Sequence, residues 1–287
     1  MQNVATGIDP SPSIGNQDSS VKTRIKLPVD DYGQNDLHRA AMSGDLAKAK
    51  ELIDKGAQVH TGDSIRQTAL DWAAYKGHVD VVKMLIEAGA DTGDSEGETA
   101  LSKAALTGQT NVVKCLLEAN AVVDRTNNIG RTALFWAAFH GHVQVVETLI
   151  DGGANVNHRD HNGLTALIVA AQVSTVQVIK MLTEAGADIN AADRDERTAL
   201  SWAARIGRVD SVRTLVQAKA DVDRCDLDKK TPLIWAATNG HVEVVKILVD
   251  AGADVGHQDR EVATALVRAK HGGHFRVCRI LLEAENK

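Results

Sequence analysis

Residues 130–157, GRTALFWAAFHGHVQVVETLIDGGANVN, contain two short apolar runs separated by a glycine. The first run follows Thr132 and ends at Gly141, and the second extends from Val143 to Ile150. In the second run the apolar residues recur at helical spacing, with polar residues on the opposite face. The stretch therefore predicts two short helices. Helices of this length are marginal alone, so their apolar face must pack against neighbours.

The same template recurs along the chain in a fixed register. Seven units open with threonine followed by Ala-Leu or Pro-Leu, after a more divergent first unit that opens with asparagine: Asn35, Thr68, Thr99, Thr132, Thr165, Thr198, Thr231 and Thr264. Successive positions are 33 residues apart, except that Thr68 and Thr99 are 31 apart. An acidic residue or asparagine lies five residues before each, and we number repeats one to eight from these: Asp30, Asp63, Asp94, Asn127, Asp160, Asp193, Asp226 and Asp259.

This pattern resembles the ankyrin repeat in its period of 33 residues and its Thr-Pro-Leu opening. The resemblance covers residues 30–287 and implies an all-α solenoid of stacked helix-turn-helix units with hairpin-like loops. Residues 1–29 hold three of the four prolines and no sustained periodicity, so we expect a disordered tail there. Such a fold hosts many activities, and only a site can identify one.

Composition argues against several classes of function. The formal net charge of −6 gives no electrostatic reason to bind nucleic acid or an anionic membrane. No apolar run reaches the length of about 18 residues that membrane insertion requires. The three cysteines, Cys115, Cys225 and Cys278, are odd in number and far apart, which is typical of reduced thiols inside cells. We therefore expect a cytoplasmic or nuclear protein that is monomeric alone.

Individual repeats depart from the template at informative positions. Repeat five has Ser174 where the others have an inter-helix glycine, at a turn where we expect positive φ and a side chain is costly. Repeat one has Arg39 where later repeats have tryptophan, and repeat eight lacks the Gly-Ala-Asp exit and carries Arg268, Lys270, Arg276 and Arg279. Because the end of a solenoid meets water, we interpret these two repeats as N-terminal and C-terminal caps.

The histidines do not indicate a catalytic or metal site. Four of them follow the inter-helix glycine at one repeat position, which indicates a structural role in bonding backbone groups: His78, His142, His241 and His274. For His140, His158 and His161, no cysteine or carboxylate in the same repeat completes a zinc-ligand spacing. The glycines end helices, unlike those of a phosphate-binding loop, which precede one. We predict no enzyme activity, no metal and no cofactor.

The four tryptophans all lie four residues after the repeat threonine: Trp72, Trp136, Trp202 and Trp235. The same position holds Lys103, Val169 and Arg268 in other repeats, so we expect it to be only partly buried. Two interpretations stay open. Each indole is wedged between neighbouring first helices, or some ring edges are exposed as binding anchors.

Family architecture implies a concave surface formed by the residue before each threonine and the two residues before each inter-helix glycine. In this chain those positions are Gln67, Tyr75, Lys76, Glu98, Leu106, Thr107, Arg131, Phe139, His140, Leu164, Gln172, Val173, Arg197, Arg205, Ile206, Lys230, Thr238 and Asn239. The row is unusually apolar for a solvated surface, and its second half is basic although the whole chain is acidic.

We therefore predict a non-catalytic scaffold that binds another protein along the concave groove and loop tips, with an acidic segment carrying apolar anchors as the favoured partner. One alternative is a regulatory subunit or substrate adaptor of an enzyme complex. Another is a substrate of an asparaginyl hydroxylase, because Asn157 and Asn190, in GANVN and GADIN, resemble ankyrin positions that such enzymes modify. The candidate partner-binding residues are Tyr75, Leu106, Arg131, Trp136, Phe139, His140, Gln172, Arg197, Trp202, Arg205 and Lys230.

Overall fold

The computed structural model describes residues 27–93 and 99–286, and within these ranges the chain is all-α. Most of the predicted tail, residues 1–26, lies outside the described residues, as do the predicted start of repeat three at Asp94 and the surface residue Glu98. Just after residue 26, Leu27 is partly buried against the core. None of the helices in the described ranges is both long and apolar enough to cross a bilayer.

The sixteen helices of the described ranges form eight pairs in chain order, as predicted from the repeat. The first helix of each pair is α1 (Asp36–Ser43), α3 (Ala69–Lys76), α5 (Ala100–Leu106), α7 (Ala133–His140), α9 (Ala166–Val173), α11 (Ala199–Ile206), α13 (Pro232–Thr238) or α15 (Ala265–His271). The second is α2 (Leu46–Asp54), α4 (Val79–Glu87), α6 (Thr110–Glu118), α8 (Val143–Asp151), α10 (Val176–Glu184), α12 (Val209–Gln217), α14 (Val242–Asp250) or α16 (Phe275–Glu285).

The repeat threonine begins each first helix because it is the N-cap. From Thr68 to Thr264, every one of these threonines has extended backbone, and its side chain accepts the N–H three residues later. Asn35 performs this role in repeat one, where His38 completes a capping box by accepting the Asn35 N–H. The sequence marker is therefore a helix start signal.

The inter-helix glycine is needed because the chain turns there with positive φ, as predicted. Gly77 has φ +83° and Gly141 has φ +70°, values in the left-handed region that glycine adopts at little cost. Ser174 adopts the same conformation with φ +66°. The turn in repeat five therefore keeps its shape and carries the strain of a side chain.

The core lies between two layers of helices. First helices pack on first helices of adjacent pairs, second helices on second helices, and each pair packs internally. The first helices approach closely because paired alanines, such as Ala137 and Ala138, are fully buried between them. Leu134 and Leu149 from the two layers are also fully buried. Replacing such a leucine by alanine typically costs about 2–5 kcal/mol.

Hydrogen bonds from histidine rings join four of the helix pairs to the pair before them. Nε2 of His78 lies 3.1 Å from the Met42 carbonyl, and Nε2 of His142 lies 3.1 Å from the Leu106 carbonyl. His241 and His274 repeat this contact at 3.0 and 3.1 Å. The structural interpretation of these four histidines is confirmed.

A second row of hydrogen bonds joins the hairpin-like loops of adjacent repeats. The His161 N–H donates to the Ile129 carbonyl at 3.0 Å, and the Arg194 N–H donates to the Asn162 carbonyl at 2.9 Å. The Arg260 N–H donates to the Asp228 carbonyl in the same way at 2.9 Å. Each of these loops therefore supplies a carbonyl that accepts an N–H of the following loop.

The serine of repeat five is matched by a change in repeat six. A Cβ added at Gly207 would lie 2.6 Å from Nδ1 of His241, so a histidine in the next repeat requires glycine at this turn. After Ser174 the corresponding residue is Arg208, whose flexible side chain donates from Nε to the Gln172 carbonyl at 2.8 Å. Arginine therefore keeps the inter-repeat bond while leaving room for the serine side chain.

We expect Arg208→His alone to destabilise the protein by about 1–3 kcal/mol, because a rigid ring would overlap the Ser174 side chain. Ser174→Gly alone should stabilise it by about 0.5–1 kcal/mol through relief of positive φ. The double variant should be more stable than the sum of the two changes by about 1 kcal/mol or more. Urea unfolding of the four proteins measures this coupling. Strictly additive changes in the free energy of unfolding would show that positions 174 and 208 are not energetically coupled.

Candidate partner-binding surface

The repeat aspartate fixes the tryptophan side chain. Indole Nε1 of Trp72 donates to Oδ2 of Asp63 at 2.9 Å, and Trp202 donates to Asp193 at 2.8 Å. Trp235 makes the same bond at 2.9 Å to Oδ2 of Asp226, nine residues before it. All three indoles are half-buried, which supports the interpretation that they are wedged between first helices. Their ring positions are therefore set by the fold before any partner binds.

The other oxygen of the same aspartate closes the hairpin-like loop. Oδ1 of Asp193 accepts the N–H groups of Asp195 and Arg197, both at 2.9 Å. One buried carboxylate thus shapes the loop and holds the first helix of its repeat. In the sequence, this aspartate served only to mark the register of the repeats. The constant spacing of nine residues between aspartate and tryptophan was the available signal for this bond.

Arginine replaces tryptophan as the donor to this aspartate in the two end repeats. Arg39 Nη1 lies 2.8 Å from Asp30 Oδ2, and Arg268 Nε lies 2.7 Å from Asp259 Oδ2. Burial raises the pKa of Asp259, but hydrogen bonds from the Ala263 N–H and from Arg268 outweigh it and hold the pKa below its ordinary value. The aspartate thus stays ionised and bonded where no indole is present.

Repeat four breaks the pattern, because asparagine stands where the other repeats have aspartate. Oδ1 of Asn127 accepts the N–H groups of Ile129 and Arg131, as an aspartate would. Indole Nε1 of Trp136 is buried and has no hydrogen-bond partner. An asparagine amide nitrogen is a donor only, so it cannot replace the missing carboxylate oxygen.

Two of the four predicted cations are paired with buried carboxylates. Arg131 Nε lies 3.2 Å from Asp160 Oδ2, and Arg197 Nε lies 3.6 Å from Asp226 Oδ2; both aspartate side chains are only 1% exposed. Arg197 also contacts Asp195 at 2.7 Å. These ion pairs neutralise most of the positive charge of both arginines. Each pair joins two consecutive repeats. The expected reversal of surface charge therefore does not extend to these two arginines.

The remaining two cations lie on indole faces. The Arg205 guanidinium carbon is 5.1 Å from the Trp202 ring centre and 4.9 Å from that of Trp235. Lys230 Nζ is 4.6 Å from the centre of the Trp235 ring. Within residues 27–93 and 99–286, neither Arg205 nor Lys230 forms an ion pair with a carboxylate. Both side chains are held in place but keep their charge available.

Apolar side chains continue the surface along the ends of the first helices. Phe139, Val173 and Ile206 lie near the ends of α7, α9 and α11 and are 38%, 37% and 39% exposed. Tyr75 and Leu106 are half-buried at the ends of α3 and α5. We call these five apolar residues, with the two cations Arg205 and Lys230, the helix-end row. It extends over six consecutive helix pairs.

Other candidate residues contribute less to this surface. Gln172 is half-buried, with its carbonyl taken by Arg208. His140 is exposed and stacks on Trp136 at 6.4 Å and on His142 at 5.8 Å. Partial desolvation lowers the pKa of His140, and the electrostatic effect of the neighbouring His142 ring adds to this.

The prediction is wrong for Gln67, which is 7% exposed rather than part of a solvated surface. Its neighbours form a cavity of about 240 Å³ between α3 and α5, lined by Trp72, Tyr75 and Lys103 among others. This volume is below the range of about 300–1,000 Å³ typical of small-molecule sites. In the described part of the chain, no three His, Cys, Asp or Glu side chains are placed to hold a metal ion.

The two candidate hydroxylation sites bridge consecutive repeats. Oδ1 of Asn157 accepts the Asp188 N–H at 2.7 Å, and its Nδ2 donates to the Gly186 carbonyl at 3.2 Å. Oδ1 of Asn190 accepts the Asp221 N–H at 2.9 Å. Asn157 is exposed and Asn190 is half-buried, so the first is more open to a modifying enzyme.

We expect Asn127→Asp to stabilise the protein by about 1 kcal/mol, because the new carboxylate oxygen would accept the unpartnered Trp136 N–H. As the matched control, Asp193→Asn should destabilise by about 1–3 kcal/mol by leaving the Trp202 N–H without its acceptor. Urea denaturation followed by circular dichroism compares both variants with the parent. A destabilised Asn127→Asp protein would mean that the indole N–H is already satisfied.

Comparison with known proteins adds the following findings. A family model that describes three consecutive ankyrin repeats matches the chain four times, over residues 15–96, 89–160, 153–226 and 219–287. The chain is 38% identical over 65 residues to palmitoyltransferase ZDHHC17 from Danio rerio, covering 23% of this chain and 10% of that protein. It is 35% identical over 80 residues to osteoclast-stimulating factor 1 from Bos taurus, covering 28% of this chain and 32% of that protein. The chain thus spans a third or less of these relatives.

Proposed function

Because this chain belongs to the ankyrin-repeat family, whose repeats are generally protein–protein interaction modules, we propose that it is a non-catalytic scaffold that binds another protein along the helix-end row. The observation that carries the proposal is the combination of three exposed apolar side chains with two cations fixed on indoles. Aromatic residues and arginine are the residue types that most often dominate binding energy. The similarity to a palmitoyltransferase covers a tenth of that protein, so the activity of that protein is not carried over to this chain.

The partner that fits this row is an acidic segment with apolar anchors. Apolar side chains of the partner would contact Phe139, Val173 and Ile206, and a carboxylate would pair with Arg205 or Lys230. Among residues 27–93 and 99–286, no carboxylate forms an ion pair with either cation, so both are available to a carboxylate of the partner. Since the indoles are held by Asp193 and Asp226, the cations lose little freedom on binding, which favours affinity.

Intracellular placement belongs to the same proposal. Cys115 and Cys278 are buried free thiols, and Cys225 is a half-buried free thiol in a loop. Burial raises the pKa of Cys115, so this thiol is unreactive at neutral pH. A protein of the cytoplasm or nucleus, binding as a monomer, fits these thiols.

The test combines three changes within the helix-end row: Val173→Glu, Arg205→Glu and Ile206→Glu. Affinity capture from a cell extract, followed by mass spectrometry, should lose the partner that the parent protein captures. The melting transition should stay nearly unchanged, because all three side chains are at least partly exposed and none pairs with a carboxylate. Gln144→Glu and Gln177→Glu, on exposed positions of second helices, should leave capture intact. Capture by the triple variant at the parental level would remove the row from consideration as the binding surface.

Arg131→Glu and Arg197→Glu are unsuitable for this test. Each would place a carboxylate against a buried aspartate, and breaking a buried ion pair typically costs about 3–5 kcal/mol. Lost binding in such variants would report on folding. The partner recovered by the parent also separates the alternatives, because a regulatory subunit or substrate adaptor would recover an enzyme in stoichiometric amount.

Modification by an asparaginyl hydroxylase is a second candidate, favoured by the exposure of Asn157. Protein isolated from cells would then gain the mass of one oxygen atom on the peptide containing Asn157, and Asn157→Ala would abolish the gain. This modification is compatible with the scaffold role. An unmodified Asn157 in all preparations that contain an active hydroxylase would exclude it.

A further inference from the structure

In three repeats, the residue before the repeat threonine is a cation that lies over the tryptophan of the same repeat. The distances from the charged group to the ring centre are 5.1 Å for Arg131 and Trp136, 5.4 Å for Arg197 and Trp202, and 4.6 Å for Lys230 and Trp235. Such cation–π contacts are most favourable on an indole. Repeat two contains the fourth tryptophan, Trp72, but there the residue before the threonine is the uncharged Gln67.

The space beside the tryptophans of repeats six and seven is occupied by two arginine side chains of the protein itself. The guanidinium carbon of Arg197 lies 5.4 and 5.7 Å from the ring centres of Trp202 and Trp235. The guanidinium carbon of Arg205 lies 5.1 and 4.9 Å from the same two ring centres. One pair of neighbouring indoles therefore carries two guanidinium groups.

In repeats two and three, the equivalent space is a cavity. Gln67 and Tyr75 hold the positions of Arg197 and Arg205 in the register of the repeats. Both residues line the cavity of about 240 Å³ beside Trp72. Because neither side chain fills this space as the two arginines do, room remains beside the indole for one side chain from another protein.

The lining offers acceptors to a side chain that is rich in hydrogen-bond donors. Gln67 is 7% exposed, and within the described part of the chain its buried Oε1 has no hydrogen-bond partner. Its Nε2 lies 3.5 Å from the Ile65 carbonyl, and rotation about the soft terminal bond of the side chain turns Oε1 toward the cavity. Asp71 adds a buried carboxylate to the lining, with Oδ2 accepting the N–H and the hydroxyl of Thr68 at 2.9 Å. Ile65 also lines the cavity and is 64% exposed, so the cavity opens to solvent.

We propose that this cavity binds an arginine side chain of the partner protein. The rings of Trp72 and Tyr75 would contact the guanidinium, and its N–H groups would donate to Oε1 of Gln67. This inference rests on the proposed function, because Tyr75 belongs to the helix-end row. It gives the partner a direction on the row, with arginine at repeat two and carboxylates beside Arg205 and Lys230.

The positive charges near the cavity do not prevent this occupant. Lys103 lines the cavity from α5, and Lys76 Nζ lies 5.4 Å from the centre of the Tyr75 ring. The carboxylate of Asp71, in the same lining, offsets one of these charges. The two guanidinium groups near one pair of indoles in repeats six and seven show that such a space accommodates two cations. Guanidinium is planar and weakly hydrated, so it stacks on aromatic rings better than ammonium does.

The indole N–H signals in nuclear magnetic resonance spectra of isotope-labelled protein test the cavity directly. The probe is N-acetylarginine amide at physiological salt, and Trp72→Phe assigns the signal of Trp72. We expect a saturable shift of this signal, whereas the signals of Trp202 and Trp235 should hardly move because internal cations already lie on those rings. The neutral isostere N-acetylcitrulline amide should bind about fivefold or more weakly, because it forms no cation–π contact.

Gln67→Arg should close the cavity from within, because it places a cation where Arg131 stands beside Trp136. Binding of the arginine probe should fall about tenfold or more, and the melting temperature should not decrease. Gln67→Lys, which introduces the residue type of Lys230, is the second variant of this kind if the first folds poorly. Gln144→Arg is the matched control, because it makes the same change at an exposed position of α8 and should bind the probe as the parent does.

Three results would overturn the proposal. The first is a Trp72 signal that the arginine probe does not shift to saturation. The second is equal binding of the arginine and citrulline probes, or tighter binding of N-acetyltryptophanamide, because the cavity would then not select a cation. The third is parental probe binding by folded Gln67→Arg and Gln67→Lys proteins. None of these measurements uses a captured partner, so failure of the cavity proposal is distinguishable from failure of the scaffold function, which the triple variant of the helix-end row tests.

Discussion

The surface of this protein depends on an aspartate at one repeat position, which is buried in repeats two and five to eight. One carboxylate oxygen closes the loop and the other holds an indole or guanidinium on the first helix, as in Asp193 and Trp202. Loop and helix therefore move as one unit. Because the next repeat packs against both, a substitution of the aspartate would disturb the packing between neighbouring repeats as well as the loop of its own repeat.

The same aspartates decide which cations remain available to a partner. Asp160 and Asp226 pair with arginines of the preceding repeat, and Asp226 also accepts the Trp235 N–H. Arg205 instead lies on the faces of Trp202 and Trp235. Surface charge here is thus set by contacts that cross repeat boundaries. The face that results combines a modest positive charge with apolar contact area, although the chain as a whole is acidic.

The sequence predicted the fold well because each marker has a local cause. Thr132 is a helix cap and Gly141 is a left-handed turn, and both effects act within a few residues. The candidate surface was harder to predict, because exposure depends on contacts between residues far apart in the chain. The sequence alone suggests that Arg131 is unpaired, yet the carboxylate that pairs with it belongs to Asp160, 29 residues later on the next loop. Periodicity identifies such pairs only when the direction of each side chain is known.

The histidine bonds between helix pairs also have a kinetic consequence. Among the described residues, side-chain hydrogen bonds reach at most 36 residues along the chain, the separation between His142 and Leu106. A nascent chain can therefore form each of these hydrogen bonds soon after the second of two neighbouring repeats has been synthesised. Since contacts of short sequence separation have a low entropic cost of closure, folding can begin at any neighbouring pair and spread outward. Lengthening such a stack adds further steps of the same kind rather than a slower, more global search.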